Sequence, residues 1–344
     1  MVARVRRMKQ CSVAIVGVTG LVGAATLALL EERQFPVKRL YLLASDRSAG
    51  EFREFRGEAH TVQALTNFDF TQTDICFFCA GSELAEVYVA QAAACGNIVL
   101  DKSAFFRYHD DVPLVIPEVN VSALSYYHKK NIIANPNCNT IPIAVALKPI
   151  YDAVGISRLN VATYQSVSGS GKEAITELME QAKQLLEGRS IHPKVYPQQI
   201  AFNVLPHIDK FHENGYTWEE MKIVLEMRKI FNDNALAINP TTVRVPVFYG
   251  HAAAVHIETD DKITTRAALV LLEQAPGLKL ITGQHPYPTP ALDAQGNDFV
   301  YVGRVREDIS HERGLNLWVV ADNLRKGAAL NAIQVAEELV RSYL

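Results

Sequence analysis

An α/β fold, with a largely parallel sheet followed by a mixed α+β region, is what this sequence predicts, and three observations predict it. An apolar, β-branched strand runs into glycines spaced three apart and then into a helix-favouring stretch. Strands and helices then alternate as far as residue 137, which implies parallel strands joined by helical crossovers. Beyond that point the strands lengthen and the alternation is lost.

The first element is Ser12 to Val16, apolar and β-branched as befits a parallel strand buried on both faces. It opens an uncharged run, Cys11 to Leu30, that follows Arg4, Arg6, Arg7 and Lys9. By composition such a run resembles a signal peptide or a membrane anchor. The glycines decide otherwise. Gly17, Gly20 and Gly23 would have no purpose at the centre of a membrane span, where helix-pairing motifs use a spacing of four. Strand, glycine turn and helix (Ala24 to Arg33) instead open a Rossmann-type dinucleotide-binding unit. In such a turn Gly17, Thr19, Gly20, Leu21, Val22 and Gly23 present bare backbone and a helix N-terminus to a pyrophosphate. The basic residues before the run then read as a short solvated extension.

Lys38 to Ala44 reads as the second strand, closed by the polar turn Ser45 to Gly50. Asp74 to Ala80 is a third strand, Glu83 to Cys95 a helix and Asn97 to Asp101 a further strand, with Pro113 to Val119 and Ile132 to Ala134 short and β-like. Past residue 138 come a helix (Ile141 to Val154), a strand (Ser157 to Val167) and an amphipathic helix (Lys172 to Glu187). A helix over Thr217 to Phe231 precedes one long β stretch, Thr242 to Glu258. Strands near Leu278–Thr282, Val300–Val305 and Asn316–Ala321 follow. The last helix, Leu324 to Tyr343, is expected to return to the first domain. The expected division is therefore 1–137 with 324–344, and 138–323.

A net charge of −3 argues against a protein built to grip nucleic acid, and 49% hydrophobic with 21% charged residues argues against global disorder. The five cysteines, an odd number scattered through apolar segments, form no disulfide framework, which favours the cytoplasm. Cys76 and Cys79 make a C-x-x-C, but residues three apart on a strand point to opposite faces and no second pair completes a metal site. Core packing and no metal is the expectation.

Where an NAD-selective unit carries an acid, at the end of its second strand, this chain has Ser45, Asp46, Arg47 and Ser48. Arg47 between hydroxyls suits a 2′-phosphate, which favours NADP(H), while Asp46 leaves NAD open. A second chemical signal is Asn135-Pro136-Asn137-Cys138-Asn139-Thr140, between a short strand and a helix whose first turn carries Pro142. A cysteine at a helix N-terminus is favoured as thiolate, and neighbouring amides can hold an oxyanion. Cys138 is the candidate nucleophile.

The motifs GVTGLVG (17–23), SDRSAG (45–50), NPNCNT (135–140), YQSVSGSG (164–171), EEMKIVLEMRKI (219–230), VRVPVFYGH (243–251) and DNLRKGAA (322–329) occur together and in order. Over essentially its full length the chain resembles aspartate-semialdehyde dehydrogenases. That resemblance implies that Cys138 is the nucleophile, that Gln165 orients the substrate and that His251 is the acid/base group. It implies Arg244 for the substrate carboxylate, Glu219 for its amino group, and Lys222, Arg107 and Asn137 for phosphate. Ser168, Gly169, Gly171 and Asn323 are similar to cofactor contacts near the nicotinamide. It further implies that the second region serves catalysis and dimerisation, in a homodimer or a tetramer of dimers.

Two of these assignments have independent physical support. Glu219 and Lys222 lie three apart on a predicted helix and can meet one ligand of mixed charge, although a surface ion pair would read the same way. Arg244 alternates with Val243, Val245 and Val247 and so faces away from that apolar side. Arg244 and His251 are seven apart, which on one regular strand means opposite faces; a bend near Tyr249-Gly250 would bring them together. His256 is a rival histidine whose expected role is strand packing.

The activity implied is reversible NADPH-dependent reduction of β-aspartyl phosphate to aspartate semialdehyde and phosphate through a cysteine thioester, a step toward lysine, threonine and methionine. The rival enzyme is N-acetyl-γ-glutamyl-phosphate reductase, whose cysteine segment reads N-P-G-C-Y and whose acylated substrate has no use for Glu219. A non-catalytic paralogue would lack the cysteine or the histidine, and both are present. Departures from the family pattern are small: Val18 stands where alanine is usual and Ala252 where serine often follows the histidine.

Overall fold

The computed structural model describes residues 9–344, so Arg4, Arg6 and Arg7 lie outside the described residues. Two compact units divide the chain, one running up to Pro136 and resuming at Ala329–Leu344, the other formed by Asn137–Ala328.

In the first unit β1 (Cys11–Val16) is buried at all six positions, because it is central in a seven-stranded sheet. A tight turn leads into α1 (Leu21–Glu32), which starts three residues earlier than its helix-favouring residues suggested. Gly23 thus belongs to the first helical turn, not to the loop. The next strand is β2 (Val37–Ala44). Then comes a hairpin the sequence reading missed, β3 (Phe52–Phe55) and β4 (Glu58–Ala64), with Arg56 and Gly57 both at positive φ in its two-residue turn. Only Phe55 and Val62 of this hairpin are buried, so no hydrophobic alternation announces it. β5 (Ile75–Phe78), α2 (Ser82–Ala94) and β6 (Ile98–Asp101) follow as expected.

Pro113 to Val119 is not a strand. Leu114 makes one isolated bridge to Ala134, and Pro117 begins a short helix, α3 (Pro117–Asn120), at the position where its missing N–H costs nothing. β7 (Ile132–Ala134) closes the order β3-β4-β2-β1-β5-β6-β7, parallel except for the β3–β4 hairpin. Cys76 is buried within β5, and Cys79, just past it, lies 3.6 Å from the Thr26 hydroxyl.

The second unit opens with α4 (Thr140–Val154), β8 (Arg158–Gln165), α5 (Lys172–Leu186) and α6 (Trp218–Phe231). The single long β stretch expected over Thr242–Glu258 is two strands, β9 (Ala237–Arg244) and β10 (His251–Glu258). They flank β8 on opposite sides, β9 parallel and β10 antiparallel, so the intervening residues must cross from one edge of β8 to the other. α7 (Thr265–Gln274), also unforeseen, precedes β11 (Leu278–Leu280), β12 (Val300–Glu307) and β13 (Gly314–Ala321). The six strands run β11-β12-β13-β10-β8-β9.

Finally the helix expected from Leu324 forms as a π-helical turn, Arg325–Ala329, that runs into α8 (Leu330–Ser342), and α8 rejoins the first unit. Its buried face (Leu330, Ile333, Ala336, Leu339, Val340) shares one core with Leu27, Leu30 and Phe35, and Glu337 takes both ends of the Arg33 guanidinium at 2.7 Å. Among the described residues no helix is long and apolar enough to cross a membrane.

Candidate active site

The glycine turn of the first unit is shaped by steric necessity. Gly17 has φ +77, and a Cβ there would sit 2.7 Å from the Cys79 carbonyl oxygen. A Cβ on Gly23 would come within 2.1 Å of the Gly17 oxygen, whereas Gly20 has room for one. Gly20 is the N-cap of α1 and offers no side-chain cap, and the first turn carries no acid. The amides of Leu21, Val22 and Gly23 open the helix with no intrahelical acceptor, which fits an anionic pyrophosphate. Thr19 is half-buried within the same turn.

At the end of β2, Ser45 caps a short 3-10 turn over Asp46–Ser48. The Asp46 carboxylate accepts a bond from the Thr66 hydroxyl at 3.0 Å, while Arg47 stands exposed with no ion pair among the described residues. Arg107 belongs to the same unit; it is buried and donates to the Lys102 carbonyl at 3.0 Å.

In the second unit Cys138 is half-buried one residue ahead of Asn139, the N-cap of α4. Gly327 lets the chain pass close by, since a Cβ there would lie 3.2 Å from the Cys138 Cβ. The segment around the cysteine is held by one face of α6. That helix is started by a reciprocal capping box between Thr217 and Glu220, and Glu220 also accepts the Thr242 amide, locking the helix to β9. So fixed, the Glu219 Oε1 accepts Asn137 Nδ2 (3.0 Å), Asn139 Nδ2 (3.1 Å) and Gln165 Nε2 (3.1 Å), and its Oε2 accepts Lys222 Nζ (3.0 Å). About two helical turns further along, Glu226, wholly buried, accepts the Asn137 backbone amide at 2.6 Å.

Burial pushes the Glu219 carboxyl upward, but Lys222, the Asn137 amide and Arg244 outweigh it and hold the group at about 2. Burial opposes the charge of Lys222 as well; Glu219 and Asp209, the latter 2.8 Å away, more than restore it and raise its pKa. Glu219 is therefore an ionised, buried carboxylate.

The crossing of the chain over the end of β8 resolves the Arg244–His251 problem. Gln165 ends β8 and pairs with Arg244, which ends β9; on its other flank, Tyr164 pairs with Ala252, one step beyond His251. Arg244, Gln165 and His251 therefore stand in a row across three adjacent strands. Gly250, at φ +81, is the last residue of the crossover. The buried face of β9 carries Pro240, Thr242 and Arg244, so the arginine lies on the buried side and Val243 on the half-buried one, opposite to a reading in which apolar residues mark the interior.

A Cβ on Gly169 would meet Arg244 Nη1 at 3.0 Å and His251 Nε2 at 3.3 Å, so both side chains converge beneath that glycine. Ser166 holds them: its carbonyl accepts Arg244 Nη1 at 2.7 Å and its amide donates to His251 Nδ1 at 3.1 Å. An imidazole that accepts at Nδ1 carries its proton on Nε2. That Nε2, like Arg244 Nε, is buried with no hydrogen-bond partner. Burial, reinforced by Arg244, drives His251 down to about 3, so the ring is neutral at neutral pH.

Asn323 supports this arrangement: its Oδ1 accepts the Gly250 amide (2.9 Å) and the Ser166 hydroxyl (3.2 Å), and its Nδ2 donates to Ser168 (3.0 Å). Gly171, at φ +96, caps α5. His256 lies further along β10 and is occupied, with Nε2 2.7 Å from Asp308 and Nδ1 3.2 Å from Asn160.

Cys138, Asn137, Gln165, Glu219, Lys222, Arg244 and His251 all belong to the second unit, as do Ser168, Gly169, Gly171 and Asn323; Arg107 and the glycine turn belong to the first. Sequence reasoning missed Asn139, Ser166, Glu226 and Gly327. Asn139 reads as a cap and Glu226 as one more helix acid. All four carried a signal, since each lies inside a motif already singled out.

Comparison with known proteins follows this division. Residues 12–127 match the family described as "Semialdehyde dehydrogenase, NAD binding domain", and residues 147–326 match "Semialdehyde dehydrogenase, dimerisation domain". The aspartate-semialdehyde dehydrogenase of Shewanella violacea is 55% identical over 335 residues, 97% of this chain and 99% of that one. That of Legionella pneumophila is 55% identical over 338 residues, 98% and 97% of the two chains. The crystal structure of aspartate semialdehyde dehydrogenase II from Vibrio cholerae, complexed with ASA, superposes with a TM-score of 0.96 at 54% identity, covering 98% of this chain and all of that one. Among the described residues no three His, Cys, Asp or Glu side chains gather as a metal site would require.

Proposed function

The chain belongs to the aspartate-semialdehyde dehydrogenase family, and from that premise we propose that its second unit reduces β-aspartyl phosphate to aspartate semialdehyde through a thioester on Cys138. One observation carries the substrate assignment: the ionised, buried Glu219, which lies among the amides of the cysteine segment and gives a substrate ammonium a partner. An N-acylated substrate has no charge to offer it.

In this reading Arg244 takes the substrate carboxylate, Glu219 the ammonium, and Gln165 orients the chain between them. The Cys138 sulfur attacks the acyl carbon and the carbon–oxygen bond to phosphate breaks, so the electron pair leaves with phosphate. Lys222, Asn137 and Arg107 are assigned to the phosphate. NADPH, when bound, supplies the hydride that takes the thioester to the aldehyde level. His251 donates from Nε2 to the substrate oxygen as negative charge grows there, and retains that proton when the carbon–sulfur bond breaks. A carboxylate on Arg244 would neutralise the charge that depresses His251, raising the proton affinity of the ring only once substrate is seated.

NADP rather than NAD is the assigned cofactor. The support is local: Asp46, the residue that would favour a free 2′-hydroxyl, is engaged by Thr66, while Arg47 remains available to a phosphate. We assign the assembly as a homodimer through the second unit, and the compartment as the cytoplasm, where its five cysteines, none of them in a disulfide, would stay reduced. Light scattering tests the dimer; a four-chain mass would indicate a tetramer of dimers.

The decisive assay is phosphate-dependent reduction of NADP by aspartate semialdehyde, run beside N-acetylglutamate semialdehyde. Turnover with the first and little with the second is expected. The reverse result would overturn the substrate assignment.

A further inference from the structure

Asn139 occupies a helix N-cap, where an asparagine normally turns its side-chain oxygen onto the first amides of the helix. Here it makes no such bond; its backbone is already helical, at φ −90 and ψ −38. Its Nδ2 points elsewhere, toward Glu219 Oε1 at 3.1 Å, Asn137 Oδ1 at 3.2 Å and Cys138 Sγ at 3.8 Å. The residue is 2% exposed, so this choice is not a surface accident.

The acceptor it shares is overcommitted. A carboxylate oxygen offers about two lone-pair sites, yet three amide nitrogens converge on Glu219 Oε1, from Asn137, Asn139 and Gln165. A cation arriving at that oxygen must displace one of them. Of the three, Asn139 is the donor that also has the sulfur in reach, beside the Asn137 carbonyl oxygen.

We propose that Asn139 couples recognition of the substrate ammonium at Glu219 to activation of the Cys138 sulfur. When the ammonium occupies Glu219, the Asn139 amide transfers its hydrogen bond to Sγ and stabilises the thiolate at the moment a substrate is present. The inference rests on the assignment of the ammonium to Glu219 made above.

Alkylation of Cys138 by iodoacetamide, followed on its own peptide by mass spectrometry, reads the sulfur directly. L-Alanine at saturation serves as the probe, because it brings an ammonium and a carboxylate but nothing that reaches the sulfur. The wild-type rate is expected to rise about threefold or more with L-alanine, the scale of one modest hydrogen bond. Asn139→Ala should alkylate more slowly in the free protein and lose the response to L-alanine, while Asn139→Ser, keeping a donor, should recover part of both. In turnover Asn139→Ala should lower kcat roughly tenfold with a smaller change in KM.

Equal alkylation of Asn139→Ala and wild type, or a response to L-alanine that survives in Asn139→Ala, would overturn the proposal. So would a variant that loses only thermal stability. Calorimetry on Glu219→Gln separates the premise from the inference. If L-alanine binds that variant as tightly as wild type, the assignment of the ammonium has failed, and the coupling falls with it. If binding is lost there and the L-alanine response still survives in Asn139→Ala, the fault lies with Asn139 alone.

Discussion

The glycine turn of the first unit and the polar cluster of the second solve binding problems with different materials. The turn is backbone: bare amides at the start of α1, and glycines at 17 and 23 because any Cβ would strike a main-chain atom within 3 Å. The cluster is side chains, drawn from the cysteine segment, the ends of β8, β9 and β10, and one face of α6, and bonded to one another across as many as 89 residues. A backbone site can be written in seven consecutive residues. A side-chain site needs a scaffold to gather it, and its members constrain one another, as the four donors on Glu219 do.

The two sites should therefore fail separately, and the largest effect comes from the cluster. Cys138→Ser is expected to lower turnover on the order of a thousandfold or more, with NADPH affinity by fluorescence titration near normal. Substantial remaining activity would break the nucleophile assignment and the comparison with it. Gly23→Ala attacks the other site. Pushing a methyl group into the Gly17 carbonyl should cost on the order of 3 kcal/mol, read as a lower melting temperature, and should weaken NADPH binding. Iodoacetamide labelling of Cys138 in the same variant should stay at the wild-type rate.

Acid tests the cluster by stability. Glu219 is held at about 2 against an ordinary 4.5, so its contribution is complete above about pH 4.5 and is lost as pH falls through 2. The span corresponds to on the order of 3 kcal/mol. His251, kept neutral down to about 3, lets the unfolded chain bind a proton that the folded one refuses, so stability begins to fall below about pH 6.5. Denaturant titrations of wild type, Glu219→Gln and His251→Asn across this range should show each variant flattening its own part of the slope. A slope unchanged in Glu219→Gln would mean that the carboxylate is not held as described. The smallest expected effect is at the surface: Arg47→Ala should reduce the preference for NADPH over NADH roughly 10- to 100-fold, through the loss of a charge-assisted bond. Unchanged preference would place the 2′-phosphate elsewhere.

Legibility in the sequence follows the same division. β1, the glycine turn and α1 could be read because burial on both faces and a backbone clash each leave a local mark. The β3–β4 hairpin could not, since its strands are largely polar and only its turn, Arg56-Gly57, carried a cue. The stretch from 242 to 258 looked like one strand because its residues suit a strand on both sides of the crossover. Asn139 could not be read, since its amide finds Glu219, 80 residues away, only in the folded chain.

By itself, then, the sequence determined most of the elements of the first unit, the glycine turn and the family, and offered Cys138 as a candidate nucleophile, since each rests on neighbours in the chain or on motifs in a fixed order. Tertiary structure alone decided that Arg244 and His251 flank Gln165, that Ser166 sets the tautomer of the histidine, and that Glu219 gathers three amides. The physical reason is range. Propensity and steric clash act between residues a few positions apart, whereas strand order and hydrogen bonds between distant segments exist only after the chain has folded.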